Sequence, residues 1–244
     1  MSIIIKELLC MTTKMFVKNI EHESAIKHVT GKAIYTDDIP EPQNLLHAAI
    51  GFSNVSKGTI QKIDFTNVLN SEGVIDIITE SDIEGQNDVG PIFKGDKIFT
   101  SKNIEYYGQP IFAVIATSTK LARQAALNAK IEIKKLKPIL TIEEAVKKKS
   151  FVLKSKIINR GKAPIAIKNS NHQLKGKIEC GGQDHFYLEG QIALTIPQED
   201  NNFLIYSSTQ HPSETQQIVA KVLKQKFNSI YVKVRRIGGG FGGK

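Results

Sequence analysis

The chain is poor in the residues that build metal and redox sites. It has two cysteines in 244 residues, Cys10 and Cys180, and no CxxC pair. That spacing gives no disulfide framework and no thiolate zinc site, and it fits a reducing compartment. The six histidines (His22, His28, His47, His172, His185, His211) lack HxxxH or HExxH spacing, so a histidine-bound zinc has little support. Long apolar runs are missing as well. The opening MSIIIKELLCMTTKMF has only short apolar stretches and no small-residue cleavage site, so it reads as neither a signal peptide nor a membrane span. Met11 and Met15 are alternative starts, and a cytoplasmic protein is the default expectation. No internal repeat and no long low-complexity tract is present.

What the chain has in excess is lysine. The net charge is +9, but the densest runs, Lys134-Lys135-Leu136-Lys137 and Lys147-Lys148-Lys149, carry no interleaved aromatics. They read as solvated surface, and no nucleic-acid partner is expected. An apolar share of 41% suffices for an ordinary core, and the length suits one or two domains.

Periodicity places the elements. Leu45–Ser53 and Gly73–Thr79 read as strands, and the continuously apolar Pro110–Ala116 as a strand covered on both faces. A helix follows, with N-cap candidates Thr117, Ser118 and Thr119 and an alanine-rich face of Leu121, Ala122, Ala125, Ala126 and Ala129 that implies close approach to a sheet. KIEIKKL then alternates as a strand, completing a strand–helix–strand unit. Polar and glycine-bearing sequence from about Ala145 to Gly176 marks a connection. Beyond it, Phe203–Tyr206 reads as a strand ending at Ser207-Ser208-Thr209-Gln210. A helix begins near Pro212, with Ser213 and Gln216 at capping-box spacing and Ile218, Val219, Val222 and Leu223 as its buried face. Ile230–Arg235 alternates as a last strand.

That strand runs into Gly238, Gly239, Gly240, Phe241, Gly242, Gly243 and Lys244, five glycines in seven positions. Bare backbone after a strand lets another group approach peptide N–H donors with no Cβ in the way. Gly238 to Lys244 fits the opening of a phosphate-binding P-loop, but the required Ser/Thr and following helix are not in the sequence. A second reading joins the run to Gln210. Two parallel strands linked by one helix bring both strand ends to one edge, where the Gln210 amide and the N–H groups around Phe241 would converge on a small polar ligand.

The motifs VTGKAIYTDDIPEP (29–42), LHAAIG (46–51), GQNDVGPI (85–92), YYGQPIFAVIA (106–116), GGQDHFYLEGQIAL (181–194), SSTQHPSETQ (207–216) and RRIGGGFGGK (235–244) occur in this order. Together they resemble the xanthine dehydrogenase/aldehyde oxidase family, nearest to the bacterial-type molybdenum-binding subunit. The resemblance implies an α+β (mixed α/β) fold. An N-terminal extension (1–20) would precede an α/β hammerhead domain (21–142), a connecting segment (143–176) and the start of the first molybdenum-cofactor-binding domain (177–244).

The resemblance also implies a molybdenum–molybdopterin cofactor. The Gln210 amide would bond an oxo ligand of the metal, and the backbone at Gly240, Phe241 and Gly242 would meet the metal's ligands, with neither Gln210 nor Phe241 coordinating it directly. The implied reaction is hydroxylation of a purine carbon. Electrons would leave through 2Fe-2S clusters and FAD to NAD on a partner subunit, since two cysteines cannot hold a cluster through four thiolates. The family's substrate glutamate follows GGGFGGK directly, and its substrate arginine and catalytic base lie further on. The expectation is therefore an N-terminal fragment with no catalytic residue, inactive alone and completed by the C-terminal part of the same subunit. A docking remnant for the iron–sulfur/flavin subunit, and a P-loop-like nucleotide binder, are the alternatives. Asp184 and Lys162 depart from the family's more frequent glutamate and aspartate.

Overall fold

The structure is a computed structural model that describes residues 22–244. Cys10, Met11 and Met15 lie outside the described residues. The chain runs α1 (Ala25–Val29), β1 (His47–Phe52), β2 (Gly58–Asp64), α2 (Thr66–Leu69), β3 (Val74–Ile78), β4 (Asn103–Ile104), β5 (Pro110–Ala116), α3 (Thr119–Ala126) and β6 (Lys130–Lys135). It continues through α4 (Ile142–Lys147), α5 (Ala163–Lys168), β7 (Ala193–Pro197), β8 (Phe203–Ser207), α6 (Pro212–Val222) and β9 (Ile230–Lys233).

The first unit holds two antiparallel sheets, ordered β1-β5-β3 and β4-β2-β6. Ile60, Val68, Ile104, Ile111, Phe112, Val114 and Ala125 draw both sheets, α2 and α3 into one core. The run Pro110–Ala116 is the middle strand of its sheet, and five of its seven residues are buried, which is why it reads as continuously apolar. Helix α3 starts where expected, with Ser118 Oγ accepting the Leu121 N–H at 3.2 Å. Its alanines sit at the sheet: Ala122 and Ala125 are buried, and Ala122 packs against Ala49 and Ala116. One sequence inference needs correcting. β5, α3 and β6 follow one another in the chain, but β5 and β6 belong to different sheets, so α3 is not a crossover within one sheet.

Both lysine-rich runs are exposed, as solvated charge should be. From Phe151 to Gly182 every residue is exposed. In the second unit β7 pairs antiparallel with β8, and β8 pairs parallel with β9, Phe203 opposite Ile230 and Tyr206 opposite Lys233. Helix α6 joins the parallel pair and packs on it through Ile205, Ala220 and Ile230. Its cap also corrects the sequence reading. The N-cap is His211, whose Nδ1 accepts the Glu214 N–H at 3.2 Å. Gln216, freed from any capping box, donates through Nε2 to the Ile230 carbonyl at 2.6 Å and the Phe227 carbonyl at 3.2 Å. It therefore ties α6 to the start of β9 instead of closing the helix N-terminus.

Among the described residues the units are linked by the Arg235–Glu23 ion pair at 3.5 Å and by two sets of hydrogen bonds. The Gly85 and Gln86 N–H groups donate to the Val222 and Lys221 carbonyls at 2.9 and 3.1 Å, the second of which also accepts the Lys224 N–H at 3.4 Å, so they bond carbonyls at the end of α6. Arg236 donates to the Ile34 carbonyl at 2.8 Å and to Ser24 Oγ at 3.3 Å.

Candidate functional site

The parallel pairing of β8 and β9 brings two chain segments out at the same sheet edge. One is Ser208-Thr209-Gln210. Ser208 is buried and fixes its direction: its Oγ donates to the Gly190 carbonyl at 3.0 Å and accepts the Ile192 N–H at 3.1 Å. The other is the glycine run after β9.

These segments meet. Gln210 Oε1 accepts the Gly242 N–H at 2.8 Å and the Lys244 N–H at 3.4 Å, and the Gln210 N–H donates to the Lys244 carbonyl at 3.3 Å. Two N–H donors facing one amide atom require that atom to be oxygen. Nε2, with its two N–H donors, is thus turned away, and among the described residues it donates to no protein acceptor. The Gly243 N–H closes a turn onto the Gly240 carbonyl at 2.7 Å, with φ of +50° at Phe241 and +88° at Gly242. Positive φ at both central residues is the type I′ pattern, which glycine adopts freely and phenylalanine only with strain. The Phe241 side chain is exposed.

The loop is pressed from two sides. A Cβ at Gly240 would stand 2.6 Å from Gln210 Cδ, and one at Gly239, where φ is +103°, would stand 3.0 Å from Tyr187 Cβ. Glycine is needed at Gly240 for close approach and at Gly239 for both reasons. The loop's hydrogen bonds use the N–H groups of Gly238, Gly242, Gly243 and Lys244. Among the described residues, those of Gly239, Gly240 and Phe241 find no protein acceptor, although Gly240 as a residue is buried. A buried peptide donor left open is costly, so this is where a ligand's acceptors would sit.

Glu189 was not identified from the sequence as a site residue, and Lys244 was read only as the lysine of the P-loop alternative. Glu189 Oε2 accepts the Gly238 N–H at 2.7 Å, and Lys244 Nζ donates to the Glu189 carbonyl at 2.6 Å. Lys244 Nζ also lies 4.5 Å from the centre of the Tyr187 ring. A P-loop lysine must reach into the loop toward phosphate. This one is fully buried against Glu189, so the P-loop reading lacks its cation. Among the described residues no group of three or more His, Cys, Asp or Glu side chains is placed to hold a metal ion.

The site is thus a cradle of neutral donors, one side-chain amide and three peptide N–H groups, on an α+β scaffold. Such a set suits oxygen acceptors of a ligand without titrating itself. The donor chemistry and the space kept bare at Gly240 fit a cofactor that presents oxygen atoms.

Comparison with known proteins identifies that class. The family described as aldehyde oxidase and xanthine dehydrogenase, a/b hammerhead domain, matches residues 30–137. The family described as molybdopterin cofactor-binding domain matches residues 145–244, which takes in the exposed segment before β7. Xanthine dehydrogenase of Drosophila pseudoobscura pseudoobscura is 36% identical over 226 residues, and aldehyde oxidase 1 of Rattus norvegicus 40% over 227. These alignments cover 91% and 92% of this chain but 17% of each relative's length. Among solved structures, the aldehyde oxidoreductase of Desulfovibrio gigas superposes with a TM-score of 0.78 at 23% identity, covering 90% of this chain and 26% of that one. Quinoline 2-oxidoreductase of Pseudomonas putida 86 gives 0.77 at 20% identity, covering 91% and 30%; both likenesses speak to the fold.

The chain belongs to the xanthine dehydrogenase/aldehyde oxidase family, as a hammerhead domain followed by molybdopterin-cofactor-binding sequence. Among the described residues no helix is long and apolar enough to cross a membrane.

Proposed function

We propose that this chain forms the Gln210 side of the cofactor cradle in a xanthine dehydrogenase-type molybdenum hydroxylase. The observation that carries the reading is the meeting of Gln210 with the glycine run, which leaves Nε2 and the Gly239, Gly240 and Phe241 N–H groups as unused donors. When bound, molybdenum–molybdopterin supplies a two-electron redox centre. Gln210 Nε2 and the loop N–H groups would hold the oxygen ligands of that centre. Gly240 contributes by being bare, and Phe241 by setting the strained turn that aims its own N–H. These residues bind and orient; none of them moves a proton. The domain division given above, at residues 142 and 176, belongs to the same proposal.

The substrate we propose is a purine carbon, with electrons passed to a partner subunit carrying iron–sulfur clusters and FAD. A second reading, an aldehyde substrate, is favoured by the 40% identity to rat aldehyde oxidase 1 against 36% to the insect xanthine dehydrogenase. We further propose that these 244 residues by themselves turn over neither substrate.

The test is to produce the chain in a host that makes the cofactor and to measure molybdenum and pterin per polypeptide. Wild-type chain should retain both, and Gln210→Ala should retain less. Absence of both from folded wild-type chain would end the reading. Turnover of xanthine or of an aldehyde by the purified chain alone would overturn the proposed inactivity. Assays of both substrates with the iron–sulfur/flavin partner and the rest of the subunit added would decide between them.

A further inference from the structure

We propose that Glu189 and Lys244 are positioning residues: together they form a clasp that holds both ends of the glycine run and so presets its free N–H groups. The inference rests on the cofactor reading above.

One residue grips the loop at its start and its finish. At the start, Glu189 Oε2 accepts the Gly238 N–H at 2.7 Å, and the Glu189 N–H donates to the Gly238 carbonyl at 3.3 Å. At the finish, Lys244 Nζ donates to the Glu189 carbonyl at 2.6 Å and approaches Oε2 at 3.4 Å. Contact is close enough that a Cβ on Gly238 would stand 2.5 Å from Glu189 Cβ.

The clasp is not built for stability. The Lys244 side chain is fully buried and the Glu189 side chain is 7% exposed, so both groups have given up hydration. Glu189 Oε1 has no hydrogen-bond partner although it is buried. A buried ion pair with an orphan oxygen is a poor stabiliser against an apolar pair of similar volume, and the attested use of such pairs is to fix a geometry. Here the fixed quantity is the separation of Gly238 from Lys244. With both ends held, the residues between must turn back within a few positions. Gly239 and Phe241 do so through φ of +103° and +50°, and the open N–H groups of Gly239, Gly240 and Phe241 lie in that strained span. Gln210 holds the same span from the other side through Gly242.

The test uses the full chain and two variants, Lys244→Met, which keeps the aliphatic stem, and Glu189→Gln, which keeps an acceptor for the Gly238 N–H. Residue-resolved amide exchange reads the loop directly. Lys244→Met should speed exchange at Gly242, Gly243 and Lys244 by ~tenfold or more, the scale of a lost hydrogen bond to a charged group. Gly238 in the same variant, and Ile205 in β8, should stay within about twofold. Glu189→Gln should preserve Gly238 protection and loosen only the Lys244 end. Molybdenum and pterin retained per chain should fall in both variants, more in Lys244→Met. Wild-type exchange rates at Gly242 to Lys244 in Lys244→Met would overturn the clasp, as would opening of Ile205 in step with the loop. If wild-type chain binds no molybdenum or pterin, the cofactor reading falls, while the exchange pattern still decides the clasp.

Discussion

Gln210 Oε1 accepts the Gly242 N–H at 2.8 Å across 32 residues of chain. This single bond joins the end of β8 to the turn after β9 and decides which end of the amide faces outward. Replacing Gln210 with glutamate separates the two functions of the side chain. An oxygen still meets the Gly242 N–H, but the outward donor becomes an anion. Gln210→Glu should melt within about 1 kcal/mol of wild type, since the internal hydrogen bond survives. Its retention of molybdenum and pterin should fall at least ~tenfold, because a carboxylate repels oxygen ligands that an amide holds. Thermal melting and metal analysis of the same preparation check both halves.

Gly240→Ala should be worse for the loop than Gly242→Ala is for packing. The new methyl at Gly240 would stand 2.6 Å from Gln210 Cδ and Oε1, whereas nothing lies within 4 Å of a Cβ at Gly242. Overpacking of this kind costs about 1–3 kcal/mol, and here it is relieved by displacing Gln210. At Gly242 the cost is backbone strain, from a φ of +88°. Urea denaturation of both variants, with exchange at the Lys244 N–H as a local probe, should show Gln210 released in Gly240→Ala alone.

Phe112 is 1% exposed, packs edge-on against Phe65 with ring centres 4.8 Å apart, and fills the core shared by both sheets of the first unit. Phe112→Ala should destabilise by about 3–5 kcal/mol. Phe52, on β1 in the same sheet, is 57% exposed, and Phe52→Ala should change stability by less than about 1 kcal/mol. Chemical denaturation compares the two.

Glu80 predicts an acid-sensitive element. Burial pushes its carboxyl up, but hydrogen bonds from Lys97, Ser101 and Asn87, with the Lys97 charge, more than offset this and hold it at about 2. Lys97 Nζ is 2.7 Å from Oε1, and the Ser101 N–H is 2.9 Å from Oε2. A folded value below the unfolded one of 4.5 means that this stability is complete above pH 4.5 and is lost as pH falls from there toward 2. Because the side chain is a quarter exposed, solvent screening limits the effect to about 1–2 kcal/mol. Glu80→Gln should lower stability at pH 7 and flatten the loss between pH 4.5 and 2 in a series of thermal melts.

Much of the scaffold was legible because its signals are local. The apolar run Pro110–Ala116, the Ser118 cap and the alanine face of α3 report burial and hydrogen bonding within a few residues. The meeting of Gln210 with the glycine run was legible from one topological rule, since parallel strands joined by a helix end at the same edge. The errors were non-local or competitive. Sheet membership of β5 and β6 depends on which strands each finds as partners: β6 pairs with β2, about 70 residues earlier in the chain. The capping box at Ser213 lost to a histidine two positions earlier, because His211 Nδ1 can accept the Glu214 N–H as an oxygen would. Glu189 carried no signal of its own, since a carboxylate in a run of mixed residues reads as surface until the fold places a lysine 55 residues on against its carbonyl.

The sequence alone determined β1, β3, β5, β6, β8, β9, α3, α6 and the need for bare backbone after β9, because hydrophobic period and glycine content act at short range. Only the tertiary structure decided which loop donors are spent and which stay open. That outcome depends on Gln210 and Glu189 closing on the glycine run from opposite sides, and no short stretch of chain contains both walls of the cradle.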